Sequence, residues 1–184
     1  MVIMILYPDQ MQKNIVPVME KIKEKGWETL VPDDEVELNG KKLSLQAYYQ
    51  IRNRDPKNIH VVELKTKIME SMFEKIEKSD AILVFNLLDK TTGMQISPQM
   101  FLGMSVAFYL KKDIYTFDHI SNTLPYRDEI QAMHPKVITR NIDNITPVER
   151  APIGFIQETQ EVVNSDLGPT VRTTRKPKLK IKKS

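Results

Sequence analysis

The side chains best suited to bind a small polar ligand follow two apolar segments near the start and the middle of the chain. Tyr7 and Asp9 follow the first apolar segment, and Asn86 and Asp89 follow the third. Hydroxyl, amide and carboxylate groups can hydrogen-bond a ligand, and a carboxylate can also act as a nucleophile. Each position has an ordinary alternative: a strand-to-helix turn at Tyr7 and Asp9, a loop cap at Asn86 and a solvated turn at Asp89.

A second group of candidates surrounds the predicted start of a helix at Ser97. Serine is a favoured N-cap and Pro98 a favoured first helical residue, so free backbone N–H groups would point into the same region. Such groups favour an anion or the polar edge of a ligand, and Gln99 adds a side-chain amide. Glu129 offers a further carboxylate, although a negative charge at the start of a short helix is its more ordinary role.

Several kinds of site are excluded or disfavoured by what the sequence lacks. It has no cysteine, which excludes disulfides, thiol catalysis and Cys-ligated zinc or iron–sulfur centres. The three histidines, His60, His119 and His134, are far apart and lack metal-ligand spacing. His119 lies either at the mouth of the expected cleft or in an ordinary surface loop. The common phosphate-binding, dinucleotide-binding, zinc-protease and hydrolase motifs are also absent, so we predict no metal and no cofactor.

Apolar patterns predict alternating strands and helices that position these residues. The strand at residues 80–86 is apolar on both faces, as a central parallel strand must be. The other predicted strands are residues 2–7, 27–32, 113–118 and 136–139, and the predicted helices are residues 14–25, 46–52, 61–78, 97–110 and 126–133. In the fourth of these helices the predicted inner face consists of Phe101, Met104, Ala107 and Phe108. This order predicts a flavodoxin-like or Rossmann-like three-layer α/β sandwich with a mainly parallel five-stranded sheet.

The predicted α/β domain covers residues 1–146 and contains an insertion at residues 35–58. Within the insertion, Asn39-Gly40 predicts a hairpin turn. Open parallel sheets bind ligands beyond the carboxyl ends of their strands, at the point where the strand order reverses. The loops after the first and third strands flank this point. The crevice between residues 7–9 and 86–97 is therefore the predicted binding site.

The net charge of +3 conceals a strongly basic end of the chain. Residues 170–184 contain seven basic and no acidic residues, which leaves 20 basic and 24 acidic residues, a net charge of −4, for the rest. We expect a C-terminal arm at residues 147–169 and a disordered tail at residues 170–184. The basic stretch from Arg172 to Lys183 either binds nucleic acid or another polyanion or only adds solubility.

The hydropathy of the chain predicts no membrane span. The longest apolar runs, such as residues 81–85, have the length of a strand. The N-terminal residues have no basic segment before their apolar run and no small-residue cleavage site, so they predict a first strand rather than a signal peptide. A cytoplasmic location is therefore expected.

Three stretches of the chain resemble the nucleoside 2-deoxyribosyltransferase-like family: ELKTKIMESMFEKIEKSDAILVFNLLDK, ISPQMFLGMSVAFYLKKDIYTF and PYRDEIQAMHPKVI. The resemblance covers roughly residues 1–145. It implies a domain that binds a nucleoside, a nucleotide or a related small molecule, commonly as a homo-oligomer. In active relatives a helix glutamate attacks the anomeric carbon of the deoxyribose, so the implied chemistry is glycosyl transfer or N-glycoside hydrolysis.

The resemblance also sets a frame in which the family's glutamate is missing. Gly103 stands at the glutamate position, with Ser105 and Ala107 at the two small positions that follow. The leading hypothesis is a ligand-binding pseudoenzyme that has lost the N-glycosidic chemistry. The alternative is an active transferase or N-glycosidase that uses a relocated carboxylate, Asp89 first and Glu129 second. A third hypothesis is an interaction protein that binds polyanions through its basic tail.

Overall fold

A five-stranded, all-parallel sheet forms the centre of the fold. The computed structural model describes residues 1–38, 40–88 and 95–147. The sheet contains β1 (Val2–Leu6), β2 (Glu28–Leu30), β5 (Ala81–Val84), β6 (Asp113–Thr116) and β7 (Lys136–Val137), and β3 (Glu35–Leu38) pairs with β4 (Lys41–Ser44) in a separate hairpin. The order in the sheet is β2-β1-β5-β6-β7. The predicted three-layer α/β architecture with a five-stranded sheet is confirmed.

Helices cover both faces of this sheet. They are α1 (Gln12–Glu24), α3 (Ile59–Lys78), α4 (Pro98–Tyr109) and α5 (Arg127–Ala132), whereas α2 (Leu45–Arg54) packs against α3. Short 3-10 turns lie at Asp9–Met11 and Ile142–Asn144. One core lies between the sheet and α1, where Ile5, Leu83 and Tyr115 join Ile15 and Ile22. The second core lies between the other face of the sheet and α3, α4 and α5.

The alternation of side chains along each strand produces these two cores. In β1, Ile3 and Ile5 face the core on the α1 side, whereas Met4 and Leu6 face the opposite core. Every residue of β5 is buried. Because helices cover β5 on both faces, its sequence needs no polar positions, which explains its unbroken apolar run.

The strand order reverses beside β1. The chain passes from β1 to β2 on one side and later enters β5 on the other side. The loops that follow β1 and β5 therefore diverge and leave a crevice at the carboxyl edge of the sheet. This geometry places the first-strand loop, with Tyr7 and Asp9, at the reversal point that the sequence predicted.

The hairpin and α2 form the insertion predicted at residues 35–58. Gly40 in the hairpin turn has φ of 75°, a left-handed conformation that glycine adopts without a steric penalty. Ser44 caps α2, since its hydroxyl oxygen accepts a hydrogen bond from the backbone N–H of Ala47 at 3.2 Å. A small core packs this insertion against the first half of α3 and consists of Val36, Tyr48, Val61 and Leu64. This packing positions α2 beside the crevice.

Helix α4 begins as predicted, but its buried face differs from the prediction. The residues that it buries are Met100, Gly103, Met104 and Ala107. Phe108 was predicted on the inner face and is instead 43% exposed. The reason is the helical rotation of about 100° per residue, which turns the side chain after Ala107 away from the sheet. Phe101 is only partly buried at the margin of the same core.

Within the described residues, no helix is both long enough and apolar enough to cross a membrane. Asp89, the tail at residues 170–184 and nearly all of the arm predicted at residues 147–169 lie outside the described residues. The division of the chain into domain, arm and tail therefore stays a prediction.

Candidate functional site

A crevice of about 500 Å³ opens at the carboxyl edge of the sheet, where the strand order reverses. Its walls come from the loop after β1, the segment after β2, helices α2 and α3, and the first turn of α4. The polar and charged side chains that line it include Tyr7, Asp9, Arg52, Lys65, Ser97 and Gln99. A crevice of this volume fits a small organic ligand. Four of the predicted ligand-binding residues, Tyr7, Asp9, Ser97 and Gln99, thus line one crevice.

Tyr49 organises one wall by contacting both a carboxylate and a guanidinium. Its hydroxyl donates a hydrogen bond to Oδ2 of Asp9. The guanidinium carbon of Arg52 lies 5.0 Å from the centroid of the Tyr49 ring, a cation–π arrangement. Burial raises the pKa of Tyr49, and the hydrogen bond to Asp9 raises it further, so the hydroxyl stays a donor. Among the described residues, Asp9 and Arg52 form no ion pair with each other or with another side chain.

Tyr7 lies at the base of the same crevice, where β1 ends. Its side chain is largely buried, with 8% of the residue exposed. Burial raises the pKa of Tyr7 to about 12, with smaller contributions from the carboxylates of Asp34 and Asp9. The phenol is therefore neutral at physiological pH and can donate a hydrogen bond to a ligand.

Lys65 and Gln99 also line the crevice and contact each other. The Lys65 Nζ donates a hydrogen bond to Oε1 of Gln99 at 2.6 Å. Burial lowers the pKa of Lys65, the carboxylate of Asp9 opposes this, and the charge of Arg52 lowers it further. The amide nitrogen of Gln99 lies 4.0 Å from the sulfur of Met72. Residues 65 and 99 lie on different helices, so their contact links α3 to α4.

Ser97 both caps α4 and lines the crevice. Its hydroxyl oxygen accepts a hydrogen bond from the backbone N–H of Met100 at 3.3 Å, which caps α4. Pro98 occupies the first turn, as predicted, and removes one backbone donor there. The hydroxyl hydrogen of Ser97 is not used by this cap, so Ser97 can still donate to a ligand.

Asn86 has the loop-capping role that the sequence left as the alternative to ligand binding. It is fully buried and does not line the crevice. Its amide nitrogen donates to the carbonyl of Asp118 at 2.7 Å, and its amide oxygen accepts from the backbone N–H of Asp118 at 2.7 Å. A further contact joins Asn86 to the carbonyl of His119 at 3.4 Å. Because both ends of the amide are bound, Asn86 ties the loop after β5 to the loop after β6.

Gly103 lies on the buried face of α4 and does not itself line the crevice. A Cβ atom at this position would lie 2.7 Å from Cδ1 of Leu6 and 3.4 Å from Cδ1 of Ile76. Position 103 therefore points towards β1 and α3, where Leu6 also lines the crevice. The crevice residue on the same face of α4 is Gln99, one turn earlier.

The remaining candidates lie away from the crevice or outside the described residues. Glu129 is exposed on α5 and does not line the crevice. Asp89 lies outside the described residues. His119 and His134 line a separate, open depression together with Arg127. Within the described residues, no cluster of three or more potential metal ligands exists.

The crevice residues that the sequence did not predict include Tyr49, Arg52 and Lys65. Tyr49 and Arg52 belong to the insertion predicted at residues 35–58, and Lys65 belongs to the helix predicted at residues 61–78. No role in a site is predicted for either element. The available signal was the stretch YYQIR, in which two tyrosines are followed by an arginine one helical turn later. Tyr48 is buried, whereas the hydroxyl of Tyr49 contacts Asp9.

No protein-family model matches the chain, and no curated protein matches its sequence. Among solved structures, a CMP N-glycosidase of Clostridium botulinum is 14% identical, with a TM-score of 0.42, over 75% of this chain and 88% of that one. A 2-deoxyribosyltransferase from Bacillus psychrosaccharolyticus is 14% identical, with a TM-score of 0.39, over 66% of this chain and 77% of that one. At this identity, neither likeness assigns an activity to the chain.

Proposed function

We propose that the crevice binds a small molecule of the nucleoside or nucleotide class. The observation that carries this proposal is the wall organised by Tyr49, which holds the Asp9 carboxylate and the Arg52 guanidinium without an ion pair between them. A carboxylate accepts hydrogen bonds from sugar hydroxyls, and a guanidinium binds a phosphate through paired N–H donors. A nucleoside monophosphate carries both sugar hydroxyls and a phosphate, and it is small enough for a crevice of this volume.

The rest of the crevice supports the same class of ligand. Pro32 and Met100 supply apolar surface for a base, while Tyr7, Ser97 and Gln99 supply hydrogen-bonding groups for its edge. The resemblance of residues 1–145 to the nucleoside 2-deoxyribosyltransferase-like family, noted on sequence, points in the same direction. The hypothesis that the family's chemistry is lost rests on Gly103 at the position of the family's glutamate and stays a proposal.

Calorimetric titration with paired nucleosides and nucleoside 5′-monophosphates tests this proposal. We expect the Arg52→Gln variant to bind the monophosphate roughly 10 to 100 times more weakly, since a charged hydrogen bond contributes about 1.5–3 kcal/mol. Its affinity for the unphosphorylated nucleoside should change little. Arg54→Gln, on the same helix but outside the crevice, is the matched control. Failure of the wild-type protein to bind any member of the panel would reject the proposal.

A second candidate function is cleavage of the N-glycosidic bond. Asp9 is the one acidic residue among the described residues that line the crevice. Attack of its carboxylate on the anomeric carbon would form a C–O bond as the C–N bond breaks, and the base would leave with a proton. Water or a second base would then release the sugar from the enzyme. Asp9 thus replaces Glu129 as the carboxylate that the structure brings to the crevice, and Asp89 remains a candidate.

Release of free base from deoxynucleosides and their monophosphates, followed by chromatography, tests this second function. We expect Asp9→Asn to lower the rate of base release by at least about 100-fold, the range for loss of a group that acts directly in the reaction. Glu129→Gln should leave the rate unchanged, and Asp89→Asn tests the carboxylate outside the described residues. The absence of base release by the wild-type protein would leave a binding function alone.

We also propose that the basic stretch from Arg172 to Lys183 binds nucleic acid or another polyanion. This proposal is supported by its seven positive charges and by the net charge of −4 over the remainder of the chain. It is independent of the crevice, because its partner would be recognised by charge alone.

A further inference from the structure

Lys65 is a partly buried lysine whose hydrogen-bond partner is a neutral amide. Its Nζ donates to Oε1 of Gln99 at 2.6 Å, and no described carboxylate forms an ion pair with it. Lys75, ten residues later on α3, shows the ordinary arrangement. Its Nζ pairs with the carboxylate of Asp33 and donates to the carbonyl of Val31 at 2.9 Å. Position 65 thus lacks the compensation that the same helix provides for Lys75.

Lys65 lines the crevice, and its surroundings lower the pKa of its amine. Burial is the first cause, the Asp9 carboxylate opposes it, and the nearby charge of Arg52 lowers the pKa further. Each unit by which a lysine pKa falls increases the fraction of neutral amine near pH 7 about tenfold. A neutral lysine amine is a nucleophile.

We propose that Lys65 is a carbonyl-reactive residue that forms an imine with a small aldehyde or ketone bound in the crevice. The lone pair of Nζ attacks the carbonyl carbon and gives a carbinolamine. The carbonyl oxygen then leaves as water with the two hydrogens that the amine carried, and a C=N bond remains. Gln99 orients the amine through the hydrogen bond at 2.6 Å, and the Tyr49 hydroxyl and the Asp9 carboxylate are the groups nearby that can relay protons.

The chemistry of the crevice defines the class of carbonyl compound. Asp9 and Gln99 suit a ligand with hydroxyl groups, and Arg52 suits one with an anionic group. An open-chain sugar or sugar phosphate has these features and also an aldehyde or ketone. This activity goes beyond nucleotide binding, since it needs neither a base nor a glycosidic bond.

Reductive trapping on the full chain tests the proposal. The protein is incubated with glycolaldehyde and cyanoborohydride at pH 7.5, where any imine is reduced to a stable secondary amine, and modified lysines are quantified by peptide mass spectrometry. We expect Lys65 to be modified at least about tenfold faster than Lys13 and Lys23, two exposed lysines of α1. Equal rates at the three positions would overturn the proposal.

Two variants separate reactivity from mere exposure. Gln99→Glu places a carboxylate at the same distance from Nζ, which favours the ammonium form and should slow the modification of Lys65 about tenfold for each unit of raised pKa. Lys65→Arg should remove the modified peptide while the protein stays folded in a thermal melt. Unchanged modification in Gln99→Glu would contradict the proposal. Nucleotide binding is measured separately by calorimetry, so failure of either proposal is distinguishable from failure of the other.

Discussion

Replacing Gly103 by glutamate is expected to destabilise the protein strongly. The first side-chain carbon would lie 2.7 Å from Cδ1 of Leu6 and 3.4 Å from Cδ1 of Ile76, so the tip of Leu6 must shift and the carboxylate would lie beside buried apolar side chains. An unpaired buried carboxylate costs several kcal/mol, and overpacking adds about 1–3 kcal/mol. We expect a loss of roughly 5 kcal/mol or more in urea unfolding, which approaches the whole stability of a small domain.

Gln99→Glu is the matched control for this substitution. It introduces the same carboxylate on α4 one turn earlier. At position 99 the carboxylate would lie in the crevice, within hydrogen-bond distance of the Lys65 amine. Its free energy of unfolding should stay within about 1 kcal/mol of the wild-type value, as for other partly exposed ion pairs. A Gly103→Glu protein of nearly wild-type stability would contradict this expectation and would show that position 103 accommodates the family's glutamate.

The elements of the fold were predictable because local pattern and long-range burial agree along this chain. The apolar run of β5 needs only its own sequence to indicate a central strand. The cap at Ser97 and the turn at Gly40 depend on residues within one helical or hairpin turn. The face of α4 was less predictable, since Phe101 and Phe108 are as apolar as the residues that the helix buries.

Site residues were predictable where they lie beside the end of a strand or the start of a helix, as Tyr7, Asp9, Ser97 and Gln99 do. The loop after β1 places Tyr7 and Asp9 at the crevice because the strand that precedes it fixes their position. By contrast, Tyr49 reaches Asp9 across 40 residues of sequence, and Lys65 reaches Gln99 across 34. No local pattern encodes such contacts, because they depend on how α2 lies beside the loop after β1 and how α3 packs against α4.

Asn86 and Gly103 are two positions whose surroundings the sequence alone could not predict. A polar residue at the end of a buried strand must find a partner, but the sequence does not say whether that partner is a ligand or the backbone of Asp118. At Gly103 the spacing of small residues matches the resemblance. The spacing alone does not show whether position 103 lies on the buried face of α4 or in the crevice. Both outcomes required the three-dimensional contacts.

Removal of residues 170–184 is expected to abolish retention of the protein on heparin or RNA. The segment carries seven positive charges, and the rest of the chain has 20 basic and 24 acidic residues, so the truncated protein is net negative. If most of these charges reach phosphates, the affinity of the full chain should fall by roughly 10³-fold or more between about 50 and 200 mM salt. The melting temperature of the truncated protein should equal that of the full chain.

A neutralised tail distinguishes charge from sequence recognition. In a variant with Lys178, Lys180 and Lys182 replaced by glutamine, the slope of log affinity against log salt should fall by about 0.7–0.9 for each charge removed, as counterion release requires. A scrambled tail of the same composition should bind as well as the natural one, since the attraction depends on the number of charges and not on their order. Equal retention of the truncated and full-length proteins would show that the tail does not bind polyanions. If the neutralised variant has the same salt slope as the natural protein, these three lysines do not contact phosphate.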